Sequence, residues 1–135
     1  MNEEHIKQII AVAIAEANAI NTPITISVVD MGGHLIALWR MAGCSYFGVS
    51  VSRQKAVTAS QLKAPTHVLS EIGLKVPALQ QAFDKNPDIL TISGGFPLII
   101  EGQVVGGVGI SGGDFEQDKA IGAKAAQAIT TPPTK

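Results

Sequence analysis

Two alternating apolar runs, Ile24 to Val29 and His34 to Met41, are separated only by Asp30-Met31-Gly32-Gly33. So short a connection joins hairpin partners, whereas a parallel pair needs a crossover of about a dozen residues or more, so the two runs pair antiparallel. Three further strand-like runs come late in the chain, at Ile89 to Ser93, Pro97 to Glu101 and Gln103 to Ser111, the last two joined through Gly102 as a second hairpin. Ahead of the first hairpin, Ile6, Ile9, Ile10, Ala13, Ile14 and Ala17 form the stripe of an amphipathic helix over 3–19, with Asn2 as its cap. Between the hairpins, Ser45 to Ala64 is free of proline and repeats Tyr46, Val49, Arg53, Ala56, Val57 and Ser60 at helical spacing. Pro65, Gly73, Pro77 and Pro87 then cut the chain into short pieces, with brief helices around Thr66 to Ile72 and Ala78 to Phe83. Asp114 with Gln117 makes a capping-box start for a final helix. The order is helix, two strands, helical middle, three strands, helix, which predicts an α+β domain whose five-stranded antiparallel sheet is covered by α-helices.

At 135 residues the chain is the size of one domain, read here as 1–130 with a flexible tail at 131–135. Charged residues are only 16% of the chain against 46% apolar, low beside the roughly 25% charged content of an average soluble domain. Apolar surface left over from the core predicts a homo-oligomer. A net charge of −1 with scattered basic residues gives no field for phosphates, so nucleic acid is not an expected partner. No apolar run reaches the roughly 18 residues of a membrane span and the first residues are acidic, which places the expected protein in the cytoplasm, away from membranes. The single cysteine, Cys44, excludes an intrachain disulfide and a multi-cysteine zinc site.

Gly107-Val108-Gly109-Ile110-Ser111-Gly112 matches G-x-G-x-x-G, yet the chain ends before the further strand and acidic residue that a dinucleotide fold requires. These glycines are read instead as sites of close backbone approach, although a helix N-terminus with free amides beside them is able to bind an anion. His34, at a strand start, and His67, beside Pro65, are isolated imidazoles that suit an iron needing one or two axial ligands rather than a local zinc motif. Arg40, Arg53 and Lys55 are the cations placed to hold a carboxylate, and Tyr46 and Phe96 supply aromatic contact with a small-molecule ligand. The serines lack a nucleophile elbow and no pair of carboxylates is spaced for acid and base work, so no dedicated catalytic activity is expected.

Three blocks carry a family resemblance: Val28-Val29-Asp30-Met31-Gly32-Gly33-His34-Leu35, Arg40-Met41-Ala42-Gly43 and Lys55-Ala56-Val57-Thr58-Ala59. Gly94-Gly95-Phe96-Pro97-Leu98 and Gly106-Gly107-Val108-Gly109-Ile110-Ser111-Gly112 extend the match over nearly the whole chain. The chain resembles the haem-binding and haem-degrading GlcG/HbpS-like family, which includes the C-terminal domain of PduO. The resemblance implies a profilin-like fold, self-association and haem as the ligand, with Arg40, Arg53 or Lys55 on the propionates. It also implies an alternative role as a non-catalytic accessory or small-metabolite-binding protein of glycerol, diol or glycolate utilisation. Ala42 stands where members of the family usually carry an aspartate.

Overall fold

The computed structural model describes residues 1–134. Helix α1 (Glu3–Ala19) starts at a complete capping box, in which Asn2 Oδ1 accepts from the His5 amide and His5 Nδ1 accepts from the Asn2 amide. Strands β1 (Thr25–Asp30) and β2 (Leu35–Arg40) form the expected antiparallel hairpin. Helix α2 (Phe47–Leu62) follows, then α3 (Thr66–Lys75) and α4 (Pro77–Asp84). Strands β3 (Gly95–Ile100) and β4 (Gln103–Ser111) make the second hairpin, and α5 (Phe115–Gln127) begins at the Asp114–Gln117 capping box.

The sheet has four antiparallel strands in the order β2-β1-β4-β3, so the two hairpins join through their inner strands β1 and β4. The fifth strand expected at Ile89 to Ser93 is absent. Its start is held elsewhere: the Leu90 amide donates to Thr58 Oγ1 of α2 at 2.8 Å, the Ile89 amide donates to the Asn86 carbonyl at 3.1 Å, and just ahead of it the Pro87 carbonyl accepts from Gln54 Nε2 of α2 at 2.8 Å. A segment bonded to a helix in this way has no ladder to join.

Side-chain alternation gives the sheet two unlike faces. Ile26, Val28, Leu98, Val108 and Ile110 point to one face and pack with Ile9, Ala13 and Ala17 of α1 and with Ile121 and Ala125 of α5, forming the main core. The opposite face is built from Ser27, Val29, Gly95, Gly107 and Gly109, and α2 lies directly on it. A Cβ at Gly107 or Gly109 would collide with the Ala56 or Ser52 carbonyl of α2, so the glycine-rich strand brings the helix backbone onto the sheet rather than cradling a phosphate. Ser27 and Ser52 hydroxyls meet across this contact at 2.8 Å. By contrast α4 buries no residue, whereas α3 buries Thr66, Leu69 and Gly73 and is tied to β3 through the Gly95 amide, which donates to Thr66 Oγ1 at 2.9 Å. At the other end of the chain, Thr131 is tied to the second hairpin: its amide donates to the Ile99 carbonyl and its hydroxyl accepts from the Glu101 amide at 2.7 Å. Lys135, the end of the expected tail, lies outside the described residues.

Candidate functional site

The larger cleft, about 600 Å³, opens between the β1–β2 turn, the last turns of α2 and the end of α4. Gly32, Gly33 and His34 form one lip, Val57, Gln61 and Leu62 the floor, and Phe83, Asn86, Asp88 and Ile89 the other wall. The lip is shaped by Asp30, whose Oδ1 accepts from the Gly32 and His34 amides, both at 2.9 Å. The His34 amide bond, helped by the His34 ring and the Gly32 amide and opposed by partial desolvation, holds the Asp30 carboxyl below its usual value. His34 turns Nδ1 toward this carboxylate at 3.3 Å, which leaves Nε2 as the nitrogen available to a ligand. Gly33, at φ 83°, is the lip position whose left-handed backbone favours glycine. On the far wall, Arg53 Nη2 lies 3.1 Å from Asp88 Oδ1, which brings one expected cation to the rim of the cleft that holds His34.

The other expected residues lie elsewhere. Arg40 is at the opposite end of β2 from His34, roughly 20 Å away at about 3.4 Å per residue. Its guanidinium stacks 4.7 Å above the exposed Tyr46 ring and donates to the Cys44 carbonyl at 2.8 Å. His67 and Phe96 form a third group, with tilted rings whose centroids are 5.6 Å apart. Burial, reinforced by Lys119, keeps the His67 imidazole below its ordinary pKa, and its Nδ1 is enclosed with no hydrogen-bond partner among the described residues. Arg40 and Tyr46, His67 and Phe96, and His34 with Arg53 therefore form separate places on the surface.

Lys55 is 1% exposed. Its ammonium donates to the Ile110 carbonyl at 2.6 Å and to Asp118 Oδ2 at 3.2 Å, while Asp118 Oδ1 accepts from the Gly113 amide at 2.9 Å. Burial pulls the Lys55 amine down and pushes the Asp118 carboxyl up, and each shift is opposed by the charge of the other group. The pair forms the floor of a second, smaller cavity of about 220 Å³.

Sequence reasoning did not anticipate Asp118 as the partner of Lys55, nor Gln61, Phe83, Asn86 and Asp88 as cleft residues. A signal existed for the first. Lys55 precedes Ala56, Val57, Thr58, Ala59 and Ser60, and a lysine beside so uniformly small and buried a helix segment needs a carboxylate from another element. For the second, the cleft wall is an irregular segment with no periodicity to read.

A family model described as haem-degrading protein HbpS-like matches residues 1–127. The chain is 36% identical over 111 residues to protein GlcG of Escherichia coli K12, covering 82% of this chain and 81% of that protein. It is 33% identical over 125 residues to the corrinoid adenosyltransferase PduO of Salmonella typhimurium, covering 90% of this chain but 37% of PduO. Its fold superposes on PduOC, solved as a complex with haem, with a TM-score of 0.91 at 30% identity, covering 100% of this chain and 99% of that one.

Proposed function

From membership of the HbpS-like family of haem-degrading proteins, to which this chain belongs, we propose that the protein binds haem or a closely related flat tetrapyrrole. The observation that carries this reading is the His34 imidazole at the lip of the larger cleft, with the Asp30 carboxylate behind Nδ1. A carboxylate in that position fixes ring orientation and raises the basicity of the ligating nitrogen. The cleft falls within the range of about 300 to 1,000 Å³ typical of cofactor-sized sites, and the smaller cavity falls below it. Gly32 and Gly33 allow a flat ring to approach the backbone, and Val57, Leu62, Phe83 and Ile89 offer apolar contact.

In this reading His34 would hold the iron through Nε2, and Arg53, now paired with Asp88, would hold a propionate. Bound haem would supply the redox chemistry. The chain's part is to ligate, orient and partly cover it. Arg40, Tyr46, His67, Phe96 and Lys55 have no direct role at this site. The protein works as a homo-oligomer: β2 is a free sheet edge that exposes Leu35, Ile36 and Trp39, and Leu74 of α3 is exposed as well. Titration with haemin tests the proposal. Saturable binding of one haem per chain with a distinct Soret band is expected, and an unsaturable rise in absorbance like that of an unrelated apolar protein would reject it.

A further inference from the structure

The smaller cavity lies at the opposite end of α2 from the His34 cleft. Phe47, Val51, Ile92 and Phe115 give it apolar walls, and Lys55 and Asp118 lie at its floor. We infer that this cavity takes a small neutral carbonyl compound, an aldehyde or ketone with a short hydrocarbon chain, and that Lys55 Nζ holds it as a reversible imine.

Three observations carry the inference, and the first is the nitrogen itself. Lys55 Nζ donates to the Ile110 carbonyl at 2.6 Å and to Asp118 Oδ2 at 3.2 Å. An ammonium has three N–H donors, so one position on Nζ has no protein partner among the described residues. Burial draws the amine pKa down and raises that of the Asp118 carboxyl, which eases passage of a proton from one to the other across their hydrogen bond. The products are a neutral amine, the nucleophilic form of lysine, and a carboxylic acid able to protonate a departing hydroxyl.

Second, the pair borders open space. Replacing a buried ion pair by apolar residues of similar volume is often neutral or stabilising, so stability alone does not account for these two residues. A pair that served only to pin α2 to α5 would be packed on every side, whereas this one lines a cavity. Glycines leave the backbone around it bare: a Cβ at Gly94 would stand 3.0 Å from Lys55 Nζ, and one at Gly113 would stand 3.0 Å from Asp118 Oδ1.

Third, charge and size narrow the ligand. The first turn of α5 carries Glu116 and Asp118 behind the Asp114 cap, a set of carboxylates that disfavours an anion, and the apolar walls disfavour any ion. The volume of about 220 Å³ holds on the order of seven waters at ~30 Å³ each, which suits a chain of a few carbons and is too small for a tetrapyrrole. The inference does not depend on haem binding at His34. The step balances without oxidant or reductant. Nζ attacks the carbonyl carbon, and the carbonyl oxygen leaves as water with two of the three ammonium protons, delivered by way of Asp118. Nζ keeps the third in the iminium, whose positive charge stays opposite the Asp118 carboxylate, and water reverses the step.

The test is reductive trapping of the whole folded chain with butanal and sodium cyanoborohydride at neutral pH, with the modified lysines mapped by peptide mass spectrometry. Lys55 is expected to gain a butyl group at least about tenfold faster than the exposed Lys7 and Lys63, because a bound aldehyde is held beside its amine rather than met by diffusion. The rate at Lys55 should saturate with butanal, and the preference should vanish in the urea-unfolded chain. Val51→Phe, which fills the cavity and leaves the pair in place, should abolish the preference without changing trapping at Lys7 or Lys63. The parent chain decides the matter even if this variant fails to fold. Lys55 left unmodified while exposed lysines are trapped, a rate that does not saturate, a preference retained in urea, or unchanged trapping at Lys55 in folded Val51→Phe would each overturn the inference.

Discussion

Lys55 and Asp118 form a pair whose two members do not survive alone. Both side chains are withdrawn from water, and desolvation opposes ionisation of each. Removing one partner leaves an uncompensated group in the interior, which typically costs about 3–5 kcal/mol, whereas replacing both with apolar groups is often close to neutral. Lys55→Met and Asp118→Leu should therefore each lower unfolding stability by that amount, and the double variant should lose far less than the sum. Additive losses in chemical denaturation would contradict this account. The pH response of Lys55→Met follows from the raised Asp118 pKa. A carboxyl that binds its proton more readily folded than unfolded gains stability as pH falls through its folded pKa and loses it as pH rises, so this variant should be more stable in mild acid than at neutrality. At this scale the sequence was only partly legible. His34 and Arg53 were identifiable as residue types in suitable places, but the carboxylates that orient them, Asp30 behind one and Asp88 beside the other, are known only from the fold. Lys55 was visible as a cation and hidden as a buried one, because its partner is 63 residues away in sequence.

At the scale of elements, the glycines of β4 fix where α2 lies. A Cβ at Gly109 would meet the Ser52 carbonyl and the Ala56 amide, both backbone atoms that cannot rotate away. Gly109→Ala is expected to cost about 3 kcal/mol or more, the upper range for overpacking a rigid contact, with the loss read from urea unfolding. A change within about half a kcal/mol of zero, as at an ordinary surface position, would mean that α2 is not held by this contact. The two hairpins, the Asn2 cap and the Asp114–Gln117 capping box could be read in advance because their signals are local: short connections and side-chain oxygens at fixed offsets from free amides; that His5 completes a box at Asn2 emerged only with the fold. Ile89 to Ser93 misled for the same reason. Its composition favours a strand, but Thr58 and Gln54, which capture its neighbourhood, belong to a distant helix.

At the scale of the whole molecule, the sheet is closed on its two faces by helices and open at its edge. β2 pairs on one side only and exposes Trp39 and Leu35, and Arg40 is the only residue of the strand with a formal charge. An apolar free edge of this kind favours pairing with another chain. Trp39→Lys should shift sedimentation of the protein toward the mass of a single chain of 14.0 kDa, and identical masses for variant and parent would remove β2 from the interface. The same arrangement sets the distances between candidate ligand groups, since one strand length separates His34 from Arg40 and divides residues that sequence reading had placed around a single ligand.

Haem binding at His34 is the central claim, and the most direct measurement compares haemin titrations of the parent, His34→Ala and His67→Ala proteins, each matched in oligomeric state. The account predicts that parent and His67→Ala share one Soret band and affinity, while His34→Ala loses the axial-ligand spectrum and binds at least about tenfold more weakly. An unchanged spectrum and affinity in folded His34→Ala, or loss of both in folded His67→Ala, would contradict it.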